Sequence, residues 1–157
     1  MSKYLLILVV AALAVIYFFF PRGNDAGDIE AVFNKMIVAA DNKDTDGVTE
    51  HFSLQYKGEY GESYPAVKNI IKKAIERYDR IEVSYSGLSV VFGKNESGEK
   101  EAAANLDVLV KGHESGMPHT LIGSDGSPDN VTVTLEKSGI GGWKITGVEG
   151  LDTPGDY

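Results

Sequence analysis

Two short runs and three histidines have the residue types that metal chemistry needs. Asn42-Lys43-Asp44-Thr45-Asp46-Gly47 places oxygen donors at the first, third and fifth positions of a calcium-loop pattern, with glycine at the sixth. The pattern also needs a bidentate Glu at its twelfth position, where Ser53 stands. A helix break capped by Asp44 accounts for the same letters. The second acidic run, Asp125-Gly126-Ser127-Pro128-Asp129-Asn130, reads as turn chemistry. His113 and His119 could approach each other across a hairpin beside Glu114, a composition that suits zinc, but His51 is the only other histidine and the spacing positions no third ligand. There is no Gly-x-Ser-x-Gly elbow, no phosphate-cradling Gly-Lys-Ser/Thr loop and no cysteine. These observations assign no catalytic, metal or cofactor-binding residue, and no cofactor is expected.

Residues suited to contact are more prominent. Tyr56, Tyr60 and Tyr64 recur four apart in a segment broken by Gly58 and Gly61, which reads as a loop or small hairpin displaying tyrosines. Lys68, Lys72, Lys73, Arg77 and Arg80 form a basic stripe suited to anionic headgroups or an acidic partner. The same stripe is also what the solvated face of an amphipathic helix looks like, with Glu76 in reach of Lys72 and Arg80.

These residues sit in a chain of 157 residues, enough for one ordinary domain, with 15 Lys and Arg against 23 Asp and Glu. That acidity argues against nonspecific nucleic-acid binding, which needs cations to displace phosphate counterions. Tyr4 to Phe20 is an unbroken apolar run, at the short end of what crosses a bilayer. It reads as an uncleaved signal anchor within residues 1–21, with a cleaved signal peptide as the alternative. Lys3 on one side and Arg22 on the other, diluted by acids, favour a cytoplasmic amino terminus and an exported body. The expectation is a single-pass membrane protein with its domain in the periplasm or outside the cell.

Residues 22–27 read as a linker and 151–157 as a loose tail. Between them, residues 28–150 are expected to form an α+β domain. Asp28 is the expected N-cap of a helix whose apolar stripe is Ile29, Val32, Phe33, Met36, Ile37 and Ala40. A short helix is expected over 45–52. A third, opened by Pro65, has Val67, Ile70, Ile71, Ala74, Ile75 and Tyr78 on its apolar face. The period then becomes two: Ile81, Val83 and Tyr85, then Leu88, Val90 and Phe92 in the other phase, a switch at Ser86-Gly87 that predicts a β-bulge. Strands follow around 102–110, 117–123, 131–135 and 143–148. Ala102 and Ala104 leave inward volume, filled by the long helix or left as a pocket. Helices followed by antiparallel strands make an α+β layout, with the sheet strongly curved around the helices.

This order resembles the nuclear transport factor 2-like fold, a cone of helices and curved sheet. The likeness rests on three stretches: the amphipathic first helix running into AADNKDTDGVTEHFS, helix 65–78 feeding directly into a strand, and the closing GGWKITGVEG. The resemblance implies either a binding and assembly module or an enzyme of the isomerase or dehydratase type acting on a hydrophobic substrate. Enzymes of the family place an acid, His or Tyr inside the cone. Tyr78 and Tyr85 are the only inward polar side chains expected here, and an inward Asp107, Tyr85 or His51 beside a sizeable pocket would favour the enzyme. The leading expectation is a membrane-tethered, non-catalytic module that binds a protein partner or a small apolar ligand. Its candidate pocket or mouth is Phe33, Ile37, Tyr56, Tyr60, Tyr64, Tyr85 and Trp143, and its candidate docking face is Lys68, Lys72, Lys73 and Arg77. The resemblance also implies a possible homodimer through the open sheet face, which Asn105, Asp107 and Lys111 make polar.

Overall fold

The computed structural model describes residues 24–124, 126–139 and 142–151. The apolar run at 4–20 lies outside the described residues, as does most of the tail. Among the described residues no helix is long and apolar enough to cross a membrane.

Helix α1 (Asp25–Asp41) starts one turn before the expected Asp28. Asn24 is the cap: its side chain accepts a hydrogen bond from the Gly27 amide at 3.2 Å, and Asp28 falls in the first turn instead. Two helix-starting residues lie four apart, and the upstream one prevails because Asp25 has ion-pair partners on the sheet. Asp44 caps α2 (Thr45–Thr49) through the Gly47 amide at 2.9 Å, so the calcium-like run is a helix start. This helix ends before the expected Phe52, because residues 51–53 run extended against the sheet: Phe52 bridges Ile145 in parallel. The tyrosine loop is a minimal hairpin closed by a Lys57–Ser63 bridge, and α3 (Tyr64–Arg77) follows with Pro65 in its first turn.

Five antiparallel strands form one sheet: β1 (Arg80–Lys94), β2 (Lys100–Glu114), β3 (Met117–Ile122), β4 (Asp129–Ser138) and β5 (Gly142–Glu149). β1 runs along one edge of β2. On the other edge β4 pairs the first half of β2 and β3 the second half. The register breaks between Ser86 and Ser89, where Gly87 adopts φ +66°, a left-handed conformation that glycine takes without strain. This is the bulge expected from the phase switch.

The concave face of the sheet holds α1. Ile29, Val32 and Phe33 pack with Ala102, Ala104, Leu106, Leu135 and Ile145 in one core, and Ile29, Ala104 and Leu135 are wholly buried. The volume above the two alanines is therefore taken by the helix, each fully buried aliphatic contributing about 1.5–3 kcal/mol. A second core joins Ala39, Ala40 and Val48 to Ile75, Tyr78 and Ile81. Tyr78 lies flat on Gly112, where a Cβ would meet its ring atoms at 2.5–2.7 Å. Ile70 is 55% exposed rather than packed. The apolar stripe of α3 is wider than the surface available to cover it.

Candidate functional site

The residues read as a pocket converge as packing. Phe33, Tyr56 and Trp143 are buried members of the main core, and Tyr64 and Tyr85 pack against it half-buried. Phe33 tilts against Tyr85 with centroids 5.9 Å apart, and Tyr56 meets Phe52 edge-on at 5.3 Å. Ile37 is half-buried, while Tyr60 is 59% exposed on the small hairpin.

The ionisable groups that would discriminate an enzyme take separate places. Asp107 has the outward phase of β2 and accepts a hydrogen bond from Asn130 Nδ2 at 2.8 Å. The Tyr85 hydroxyl donates to Asn34 Oδ1 at 3.1 Å, and burial, with Glu30 nearby, holds its pKa above the ordinary value. Burial likewise raises Tyr56. His51 is buried, with Nε2 3.5 Å from Glu50 Oε1 but without a hydrogen bond; burial lowers its pKa despite that carboxylate. His113 and His119 do not approach each other. Gly112 pairs with His119 and His113 with Pro118, so the two rings leave the sheet on opposite faces. His119 lies against Tyr78, and His113 sits 3.3 Å from Glu82. Among the described residues no three His, Asp or Glu converge on a common point.

The basic stripe is partly committed to ion pairs. Lys68 bonds Asp46 at 2.8 Å, which raises the lysine pKa and lowers the aspartate's. Lys72 stands 3.8 Å from Glu76, Arg77 covers the Tyr78 ring, and Arg80 pairs with Glu82 at 3.0 Å. Lys73 is exposed.

The most developed polar site is one that the sequence reading missed. At the end of the cone where α1 begins, the inward phase of β1, β2 and β4 ends in lysine. Lys94 follows Phe92 on β1, Lys100 precedes Ala102 on β2, and Lys137 follows Leu135 on β4, with Phe92 opposite Ala102 and Lys94 opposite Lys100. Asp25, the first residue of α1, receives Lys100 at 3.1 Å and Lys137 closer still. Hydrogen bonds from Lys137 first and Lys100 second hold the Asp25 carboxyl below its ordinary pKa. The Lys137 ammonium also lies 5.7 Å from the centroid of the Trp143 ring, a cation–π contact. Trp143 is 2% exposed and its Nε1 has no hydrogen-bond partner. Phe92 is 47% exposed: it keeps the inward phase of β1 and tilts against Trp143 at 6.0 Å. Asp25, Phe92, Gly93, Lys94 and Lys100 line an open groove of about 340 Å³. This rim has cations over an aromatic floor and one shared carboxylate. Extending the period-two count one step past the last apolar residue of each strand would have found it.

The sequence matches no protein-family model and no curated protein. The fold has many solved neighbours. A nuclear transport factor 2-like superfamily protein from Salmonella enterica superposes with a TM-score of 0.62 at 13% identity, over 84% of this chain and 92% of that one. A nuclear transport factor 2-like protein with a cystatin-like fold from Novosphingobium aromaticivorans gives 0.57 at 14%, over 90% and 85%. Bd1075 of Bdellovibrio bacteriovorus gives 0.61 at 15%, over 80% of this chain but 40% of that protein. This chain thus spans about two fifths of Bd1075 and nearly the full length of the other two. The described domain has the nuclear transport factor 2-like, cystatin-like fold.

Proposed function

We propose that the chain is a membrane-tethered binding module. Residues 4–20 anchor it with the amino terminus in the cytoplasm, and the cone domain works outside the cytoplasm as a non-catalytic assembly component. The observation that carries this reading is the closure of the cone. Ile29, Val32 and Phe33 occupy the space over Ala102 and Ala104, where a hydrophobic substrate of an isomerase or dehydratase would lie. The inward lysines Lys100 and Lys137 are engaged with Asp25 at the rim.

A filled interior directs recognition to the outside and favours a protein partner over an enclosed apolar ligand. The outer surface of α3 suits an acidic partner: exposed Ile70 stands one helical turn from Lys73, with Lys72 and Arg77 on the same helix. The outer face of the sheet, with Asn105 bonded to Asn130 at 3.0 Å and Asn130 to Asp107, suits a wet contact such as a homodimer.

The test begins with alkaline carbonate extraction and protease protection in intact cells, followed by native mass spectrometry of the full chain released from its membrane. Retention in the membrane, an exported domain and a ligand-free mass support the module. An enclosed small molecule retained with the chain would replace it with the ligand-binding reading, and a soluble or cytoplasmic chain would refute the tether.

A further inference from the structure

We infer that the lysine rim docks on anionic phospholipid headgroups of the membrane that holds the chain, and so fixes the cone's orientation. This rests on the tether proposed above. Only residues 21–23 separate the end of the apolar run from Asn24, and such a stretch spans at most about 14 Å when fully extended. Asn24 caps the helix whose first residue is bonded to Lys100 and Lys137. The ion pairs lock the start of α1 to the β1–β2 hairpin, so whatever holds residue 24 near a bilayer holds the rim there too.

The rim has the chemistry for that position. Its inward side carries three lysines against Asp25, and Lys94 makes no ion pair among the described residues. Phe92 offers an exposed ring at interfacial depth, and the Trp143 Nε1–H beneath it lacks an acceptor. Acids stand nearby: Glu96 and Glu99 at the hairpin tip, and Glu101 and Glu136 on the outer face of the sheet. Asn95 Nδ2 bonds both Glu99 and Glu136, drawing them together away from the inward lysines. An anionic headgroup therefore meets the inward side, and the acids keep the rest of the tip in water.

The chain has no cysteine, so Ser97→Cys at the hairpin tip gives one attachment site for a nitroxide label. The full-length protein is placed in nanodiscs of phosphatidylcholine alone, or of phosphatidylcholine with phosphatidylglycerol, and label depth is read from its accessibility to oxygen and to an aqueous nickel chelate. The expected result is a shift toward the bilayer with phosphatidylglycerol, lost in Lys94→Glu, with wild-type circular dichroism. A water-exposed label in both discs, or a shift that survives Lys94→Glu, overturns the rim. A shift abolished by inorganic phosphate but not by sodium chloride at equal ionic strength also overturns it, by marking a site for free anions. Failure of the chain to remain in the discs overturns the tether and the rim with it, whereas retention with an aqueous label overturns the rim alone.

Discussion

Replacing Asp25 with Asn tests whether the clamp at the start of α1 is electrostatic. The substitution keeps size, removes one charge facing two lysines and leaves one acceptor oxygen where two received them. Lys100 is 61% exposed in its side chain and adds little, about 0.3 kcal/mol, while the less exposed Lys137 adds about 1 kcal/mol. An anion in the first turn of α1 adds about 0.5 kcal/mol through the helix dipole. Asp25→Asn is thus expected to cost about 1.8 kcal/mol at neutral pH and low salt. The lysines hold the folded-state pKa of Asp25 below its ordinary 3.8. Its contribution is therefore complete above that value and is lost as pH falls through the lower folded one. Urea unfolding of the full chain in mild detergent, followed by fluorescence of Trp143, the only tryptophan, gives the stability difference at each pH and salt concentration. A difference that shrinks in concentrated salt and only below pH 3.8 supports the clamp. A penalty that persists unchanged in strong acid would mean that Asn disturbs packing, and the electrostatic account would fail.

Lys137→Met should remove the ion pair with Asp25 and the cation–π contact together, costing about 1–2 kcal/mol and altering Trp143 emission; unchanged emission would separate the ammonium from that ring. Gly112→Ala drives a methyl into the Tyr78 ring and should cost about 2 kcal/mol or more by the same unfolding assay. Leu135→Ala, at the centre of the cone, should cost about 3 kcal/mol, and a loss under 1 would contradict the packing described. Burial lowers the pKa of His51, so protons bind the unfolded chain first and stability should fall as pH drops below 6.5. A His51 resonance titrating above 6.5 in the folded protein would reverse that sign.

The helices and strands were legible because each has one strong periodic signal. The bulge at Gly87 was legible as a change of phase, and Pro65 marked its helix because it sits where a missing amide costs nothing. The start of α1 was misread because capping preference cannot rank Asn24 against Asp28; that choice was settled by lysines distant in sequence. Ile70 was assigned to the core because periodicity reports a helix's apolar arc, not the width of the surface that meets it. The histidine pair failed for a register reason, since one residue's difference in pairing sends side chains to opposite faces. The rim was invisible for a different reason. A lysine at the end of an alternating run looks like the end of the strand, yet the chain keeps its pleat for one more inward residue on β1, β2 and β4.

Those inward lysines are not what stability alone would select. Taking Lys137 to one-third exposure and two lysines onto one carboxylate carries a desolvation cost that an apolar pair in the same places would avoid. Lys94, opposite Lys100 in register, adds a like charge that destabilises the pair. The inward side of the rim thus holds three lysines against one carboxylate, an excess of two positive charges, at the end of the domain from which the chain leads to the apolar run. On the docking proposed above, an anionic headgroup outside the domain offsets that excess. Lys94→Ser separates the two cases: without an external anion it should stabilise the full chain slightly in neutral detergent, because repulsion is relieved. In discs that contain phosphatidylglycerol the same change should become destabilising. The same sign in both settings would show that the lysine serves the domain itself and not its surroundings.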